Sequence, residues 1–176
     1  MKYLIASDIH GSAYYCDLLI KAIESEKADK VLLLGDILYH GPRNDLPKDY
    51  APKRVIEMLN PLKEKIICVR GNCDAEVDQM VLDFPIMADY KTVENLYLSH
   101  GHIYNPDNLP PMKKGDILIN GHTHVPKCQE KNGFVFMNCG SVSIPKENSF
   151  HSYMTMEKGK FLWKNLENGE VYKSFK

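Results

Sequence analysis

Short apolar runs alternate with amphipathic segments along the first part of the chain. Tyr3–Ala6, Val31–Leu34 and Ile66–Val69 are runs of the length and composition of buried strands. Residues 12–27 repeat apolar side chains at the spacing of one helical face, and Pro52 opens a second such segment at a position where a first helical turn tolerates proline. The pattern predicts strands alternating with helices.

After residue 84 the helical spacing disappears and short β-like runs follow one another. These runs are Leu96–Leu98, Ile117–Ile119, Phe134–Met137, Tyr153–Met156 and Phe161–Trp163. Asn132-Gly133, Lys158-Gly159 and Asn168-Gly169 are turn sequences of the kind that join hairpins. Since domains average roughly 150 residues, we expect residues 1–176 to form one compact domain that is α/β first and β-rich second.

Composition narrows the function classes. The chain has 22 basic and 23 acidic residues, and this balance lacks the positive excess of general nucleic-acid or membrane-surface binders. Its five cysteines are an odd number without a C-x-x-C pair, which argues against a disulfide framework and favours a reducing compartment. Asp8 interrupts the first apolar run, and no stretch approaches the roughly 18 apolar residues of a membrane span. We therefore expect a cytoplasmic protein without a signal peptide.

Metal-binding residue types follow five of the apolar runs directly. In chain order the five motifs are Asp8-x-His10-Gly11, Gly35-Asp36, Gly71-Asn72-Cys73-Asp74, Ser99-His100-Gly101-His102 and Gly121-His122-Thr123-His124. In open α/β sheets, ligands bind beyond the carboxyl ends of the strands. The sequence therefore predicts one rim carrying carboxylate, imidazole and amide ligands.

These ligand types suit octahedral first-row ions such as Mn(II), Fe(II) or Zn(II), and a structural zinc site fits less well without a thiolate cage. Seven of these residues are candidate ligands: Asp8, His10, Asp36, Asn72, His100, His122 and His124. Seven ligands are too many for one ion, but they suffice for two ions if Asp36 binds both. The alternative is that Asp8 and Asp36 only cap the following turns, and that His122 and His124 are loop histidines bonded to backbone carbonyls. That explanation does not account for all seven positions being filled in order.

The ordered motifs resemble those of calcineurin-like metallophosphoesterases. Three segments are similar to the small bacterial phosphodiesterases of the YfcE type, namely His40–Asn44, Gly71–Asp74 and Gly140–Lys146. The resemblance spans residues 1 to about 165. It implies an α/β (α+β) fold, specifically a four-layer αββα sandwich of two mixed β-sheets flanked by helices. It also implies a phosphoric diester hydrolase.

The resemblance further implies which residues hold each ion. One ion would be held by Asp8, His10, Asp36 and His124, and the other by Asp36, Asn72, His100 and His122. A hydroxide bridging the two ions would attack phosphorus. Mn(II) is the expected metal, with Zn(II), Fe(II) and Ni(II) as alternatives. The two ions, the two aspartates and the hydroxide leave about one positive charge, which a phosphodiester monoanion neutralises better than a monoester dianion does.

Other residues receive roles by resemblance alone. Arg43 and Asn44 are expected to contact phosphate, for which a guanidinium has the right planar geometry. Asp36 and Asn72 join Cys73 as expected catalytic residues. Cys73 stands where most relatives have a histidine thought to protonate the departing oxygen. Asp74 either takes over that role or caps a helix beginning near Ala75.

Three further histidines are not expected among the ligands. His102 either orients a ligand or is an ordinary exposed histidine. His40 and His151 are interpreted as structural.

Two other functions compete with a small-substrate phosphodiesterase. A non-catalytic scaffold, resembling the retromer scaffold subunit, would lack metal-binding positions that are all present here. A nuclease would need a DNA-binding surface, which the near-neutral charge does not provide. We expect a small phosphodiester as partner, with neither nucleic acid nor membrane, and a homodimer or homotetramer remains open.

Overall fold

The computed structural model describes residues 1–131 and 133–176, and these residues form eleven strands and three α-helices. The strands are β1 (Lys2–Ala6), β2 (Lys30–Leu33), β3 (Ile66–Cys68), β4 (Tyr90–Val93), β5 (Leu96–Ser99), β6 (Ile117–Asn120), β7 (Lys127–Lys131), β8 (Phe134–Asn138), β9 (Ser152–Glu157), β10 (Lys160–Asn165) and β11 (Val171–Phe175). The helices are α1 (Ala13–Glu26), α2 (Pro52–Leu59) and α3 (Glu76–Gln79), with a 3-10 turn over Asn60–Leu62 after α2.

The strands form two mixed sheets. The first has the order β11-β10-β9-β1-β2-β3, in which β1, β2 and β3 are parallel and the pairs involving β9, β10 and β11 are antiparallel. The second has the order β4-β5-β6-β8-β7, with parallel β5, β6 and β8 and antiparallel edges. This arrangement confirms the predicted fold class.

The first sheet is covered on both faces, which explains its continuous apolar strands. In β2 and just after it, Val31 and Leu33 belong to the core shared with α1 and α2, while Leu32 and Leu34 belong to the core between the sheets. Successive side chains of a strand point to opposite faces, so both cores draw on one short run. Helix α1 begins where the Ser12 hydroxyl accepts a hydrogen bond from the Tyr15 amide at 3.2 Å.

The outer face of the second sheet is covered differently from the first. Residues 100–116, which carry Pro106, Pro110 and Pro111, form an irregular segment there without a helix. Asn120 on β6 donates to the Tyr104 carbonyl of this segment at 3.3 Å. The segment contains no helix, and each of its three prolines lacks the amide that a helix would use as a donor.

Three strands escaped prediction, namely β4, β7 and β11, because they are edge strands with mixed charged and apolar residues. The Lys158-Gly159 and Asn168-Gly169 turns join β9 to β10 and β10 to β11 as expected. Asn132 of the third predicted turn lies outside the described residues. In the two described stretches, no helix has the length and apolarity to cross a membrane.

Candidate metal centre

The loops that follow β1, β2, β3, β5 and β6 converge at one rim between the two sheets. Backbone hydrogen bonds join these loops directly. The His10 amide donates to the Asp36 carbonyl at 2.9 Å, and the Gly121 amide donates to the His100 carbonyl at 2.9 Å. The His122 amide donates to the Asp8 carboxylate at 3.0 Å, linking the loops of the two sheets.

One group of predicted ligands gathers around Asp8. Its Oδ1 lies 3.2 Å from His124 Nε2 and 3.5 Å from His10 Nε2, and the two imidazole nitrogens are 3.3 Å apart. All three side chains are buried. Their ligand atoms are close enough to share one metal ion.

A second group gathers around His100. Its Nε2 lies 3.0 Å from Asn72 Oδ1 and 3.3 Å from Asp36 Oδ2. The His122 ring centre is 5.0 Å from that of His100. The structure therefore brings the remaining predicted ligands to the same place.

Asp36 lies between the two groups. Its Oδ2 is 3.3 Å from His100 Nε2 and 3.7 Å from His10 Nε2, while its Oδ1 accepts the Cys73 amide at 2.8 Å. One carboxylate oxygen thus faces both groups, and this is the position that a bridging ligand needs.

The backbone is strained at five of the predicted ligands. Each adopts a positive φ without being glycine: Asp8 (60°), His10 (49°), Asp36 (54°), His122 (64°) and His124 (61°). Such conformations cost about 1–3 kcal/mol each and cluster at functional sites. Close approach adds a second constraint, because a Cβ on Gly71 would lie 2.1 Å from Asp36 Oδ1 and one on Gly121 would lie 2.0 Å from Ser7 Oγ.

Backbone carbonyls orient three of the imidazoles. Nδ1 of His10 lies 2.7 Å from the Tyr39 carbonyl, that of His100 lies 2.6 Å from the Leu34 carbonyl, and that of His124 lies 2.6 Å from the Ile144 carbonyl. Because a carbonyl only accepts, Nδ1 carries the hydrogen in each ring. Nε2 is thereby left to face the rim, as in histidine metal ligands.

The electrostatics of the rim favour a cation. Burial alone would raise the pKa of Asp8, but the imidazoles of His10 and His124 beside it hold that pKa well below its usual value. Burial alone would lower the pKa of His100, but the Asp36 and Asp8 carboxylates raise it to about 9. Burial lowers the pKa of His122 to about 4.

Asp8 Oδ1 supplies the test of whether the residues fit a metal. This atom is buried and has no hydrogen-bond partner among the described residues. An unpartnered buried carboxylate oxygen is costly unless a positive charge compensates it. Oxygen and imidazole ligands without a thiolate cage fit divalent cations.

Asp74 has a different role from either of those predicted. Its carboxylate accepts the amides of Gly71 at 2.7 Å and of Asp36 and Ile37 at 2.9 Å each. It does not cap α3, because the Ala75 amide donates to Asp78 at 2.9 Å instead. Both Asp74 oxygens are engaged with backbone, so we assign this buried residue a positioning role in place of proton donation.

Sequence reasoning missed the serines that hold the Asp8 loop. The Ser141 and Ser143 hydroxyls each donate to the Asp8 carbonyl at 3.0 Å. The Gly140–Lys146 motif was their only signal, and it gave no role to either residue.

The ligands open into a cavity of about 380 Å³. Arg43, Asn44 and Lys146 line it, and sequence reasoning missed Lys146. Asn44 donates to the His40 carbonyl at 2.8 Å, which fixes the loop that carries Arg43. Cys73 also lines the cavity, and burial together with the Asp36 charge raises the pKa of its thiol to about 12.

The other histidines differ in their surroundings. The His102 ring centre lies 5.4 Å from that of His100, outside the groups around Asp8 and Asp36, and burial lowers its pKa. His151 stacks on Tyr15 at 3.8 Å between ring centres and bonds to the Val142 carbonyl at 2.8 Å. These contacts accord with a structural role for His151.

Comparison with known proteins gives a consistent picture. Residues 1–160 match the model of the calcineurin-like phosphoesterase superfamily domain. Phosphodiesterase YfcE of Escherichia coli K12 is 46% identical over 157 residues, covering 87% of this chain and 85% of that protein. A structure of YfcE, described as a phosphoesterase from E. coli, superposes with a TM-score of 0.95 at 41% identity, covering 99% of this chain and 98% of the other.

A more distant structure shares the fold. Wild-type Vps29 from Entamoeba histolytica, solved in complex with Zn²⁺, has a TM-score of 0.58 at 19% identity, covering 99% of this chain and 98% of the other.

Proposed function

This chain belongs to the calcineurin-like phosphoesterase superfamily as a YfcE-type member and is a phosphoric diester hydrolase, and we propose that it cleaves a small phosphodiester using two divalent ions. When bound, the ions supply an activated hydroxide and positive charge for the reacting phosphate. The observation that carries the proposal is the single Asp36 oxygen facing both His10 and His100. The buried, unpartnered Asp8 oxygen supports it.

Different residues would hold the ions and contact the substrate. Asp8, His10, Asp36 and His124 would hold one ion, and Asp36, Asn72, His100 and His122 would hold the other. Arg43 and Lys146 project from the cavity wall, where their charges suit the non-bridging phosphate oxygens. Two ions, two aspartates and a hydroxide leave about one positive charge, which matches the single negative charge of a phosphodiester.

The metal is proposed to be Mn(II). Carboxylate, amide and imidazole ligands suit this ion. Among the described residues, Cys73 is the only cysteine whose sulfur lies close to the predicted ligands. Zn(II), Fe(II) and Ni(II) accept the same ligand types. Adding each metal separately to chelator-treated protein, then measuring turnover and bound metal, identifies the ion that supports catalysis.

The test of the function is hydrolysis of bis(4-nitrophenyl) phosphate before and after metal removal. Chelation should abolish turnover, and Mn(II) should restore it, with 4-nitrophenyl phosphate as a poorer substrate. His10→Asn should lose both metal and turnover. His151→Gln is the matched control, because His151 stacks on Tyr15 outside the ligand groups. Full turnover by metal-free protein would contradict the proposal.

The scaffold and nuclease alternatives make different predictions for the same protein. If the chain were a scaffold that has kept its metal-binding positions, it would take up metal but show no turnover above that of free metal. A nuclease would bind DNA with strong salt dependence, since phosphate contacts release counterions. We propose that the chain is neither a scaffold nor a nuclease, and that its partner is a small substrate in the cytoplasm.

A further inference from the structure

A groove beside the metal centre differs from it in chemistry. It has a volume of about 430 Å³, and its walls come from the loop after β2, from α2 and from α3. Tyr39, Tyr50, Ile56, Val77 and Val81 are among the apolar and aromatic residues that line it. Exposed apolar surface grouped in this way marks a binding site more often than scattered apolar residues do.

Asp78 is the one charged residue among the described groove-lining residues, and its carboxylate is occupied by a local hydrogen bond. The carboxylate of Asp78 accepts the Ala75 amide at 2.9 Å, and this contact caps the short helix α3. By contrast, Tyr39 is 42% exposed, Val77 62% and Val81 42%. The groove therefore presents apolar side chains to solvent.

Cys73 joins the groove to the metal cavity, because it lines both. On the cavity side, a Cβ on Gly41 would lie 3.1 Å from the Cys73 sulfur. The Cys73 amide donates to Asp36 Oδ1 at 2.8 Å. Only Cys73 therefore separates a phosphate held beside Asp36 from the groove.

The groove walls are fixed to the predicted metal ligands. The Tyr39 carbonyl accepts from His10 Nδ1 at 2.7 Å. The Tyr50 ring lies over Gly11, where a Cβ would come within 2.5 Å of it, and the Ala51 amide donates to the Gly11 carbonyl at 2.8 Å. A group in the groove would therefore keep a defined distance from the phosphate, and such positioning contributes to catalysis.

We infer that this groove binds an aromatic or similarly flat, apolar ester substituent of the phosphodiester, so that the preferred substrates are diesters with at least one such group. The inference rests on the proposed function and specifies its substrate class. The cavity also continues past His122 and Thr123 into a second groove, where Val125 and Phe136 are mixed with the charged side chains of Asp107, Lys127, Lys131 and Glu147. The groove beside Tyr39 has a single charged residue among its described lining residues, Asp78, and is therefore the better match for an uncharged, apolar ring.

The experiment compares bis(2-naphthyl) phosphate with diphenyl phosphate as substrates of the metal-loaded protein. The two leaving groups are similar in acidity, and both esters of each substrate are identical, so the larger ring must enter the groove whichever ester is cleaved. We expect wild type to favour the naphthyl diester in kcat/KM. Val77→Asp should lower this naphthyl-to-phenyl ratio by about tenfold, equivalent to ~1.4 kcal/mol of transition-state binding.

Two variants control for charge and for loss of the original side chain. Met80→Asp places the same charge directly after α3, on a residue that is 84% exposed and does not line the groove, and it should leave the ratio unchanged. Val77→Leu keeps the groove apolar and should retain the preference. The molecular mass of each variant in solution is measured in parallel.

The outcomes separate this inference from the function on which it rests. Equal loss on both diesters in Val77→Asp, with the ratio preserved, would overturn the groove assignment and leave the phosphodiesterase intact. A preserved ratio together with dissociation of an oligomer in Val77→Asp would overturn it in favour of a contact between copies of the chain. Failure of wild type to hydrolyse either diester in a metal-dependent manner would overturn the proposed function itself.

Discussion

Replacing Asp36 by asparagine tests its proposed bridging role most directly. The side chain keeps its shape, and its carbonyl oxygen remains able to accept the Cys73 amide, which bonds Asp36 Oδ1 at 2.8 Å. What is lost is the negative charge on the oxygen that faces His10 and His100. The variant should therefore fold but bind at most one divalent ion, with turnover reduced by orders of magnitude.

The magnitude follows from the number of ions bound only by the folded state. At a metal concentration one hundred times the dissociation constant, each ion adds about 2.7 kcal/mol to the free energy of unfolding, so two independent ions add roughly 5 kcal/mol. For a chain of this size that corresponds to a rise in melting temperature on the order of 10–20 °C. Asp36→Asn should show at most about half of that rise.

The assay is thermal unfolding with and without Mn(II), alongside metal analysis of the dialysed protein. Asp45→Asn removes an exposed carboxylate from the loop after β2 and serves as the matched control, with two ions and the full rise expected. Two bound ions and near-normal turnover in Asp36→Asn would refute the bridge and place the shared ligand elsewhere.

Three further predictions concern stability, substrate binding and proton transfer. The pKa of Glu26 is about 2 because, although burial would raise it, Lys164 at 2.5 Å and Lys2 at 2.7 Å stabilise the carboxylate. Wild type should therefore be more stable than Glu26→Gln by about 2–3 kcal/mol above pH 4.5, and urea titrations should show that advantage disappearing as the pH falls towards 2, whereas a pH-independent difference would contradict it. Arg43→Ala should retain both ions and raise KM. An unchanged KM would mean that Arg43 is a solvated loop residue that does not contact the substrate. Cys73→His should flatten a steep dependence of rate on leaving-group pKa, since general acids contribute roughly 10²–10⁴-fold; a shallow slope in both proteins would mean that another group supplies the proton.

Residues whose chemistry is local were predictable from sequence. Five of the six parallel strands are followed closely by a ligand motif, as with Asp8 after β1 and Asp36 after β2. Strand direction alone brings such residues to one rim. The edge strand β7 could not be predicted in the same way, because its Lys-Cys-Gln-Glu-Lys sequence has few apolar residues and its pairing with β8 is a tertiary property.

Residues that act through others were not predictable. Asp74 looked like a helix cap because it precedes α3, yet its oxygens bind the amides of Gly71, Asp36 and Ile37. Nothing in the spacing of Lys146 indicated that it would line the cavity beside Arg43. In these cases the partner lies in a distant loop, and sequence separation carries no information about that contact.

The strain at the ligands explains why these supporting residues are needed. Asp36 adopts a left-handed backbone conformation that a non-glycine residue leaves readily unless neighbouring contacts hold it. The Asp74 carboxylate accepts hydrogen bonds from the amide of Asp36 and from those of Ile37 and Gly71. The backbone of Asp8 is held by the hydroxyls of Ser141 and Ser143, which both donate to its carbonyl. The carboxylates are therefore positioned by their backbones independently of any ion, and the proposed ions would compensate the mutual repulsion of two buried negative charges.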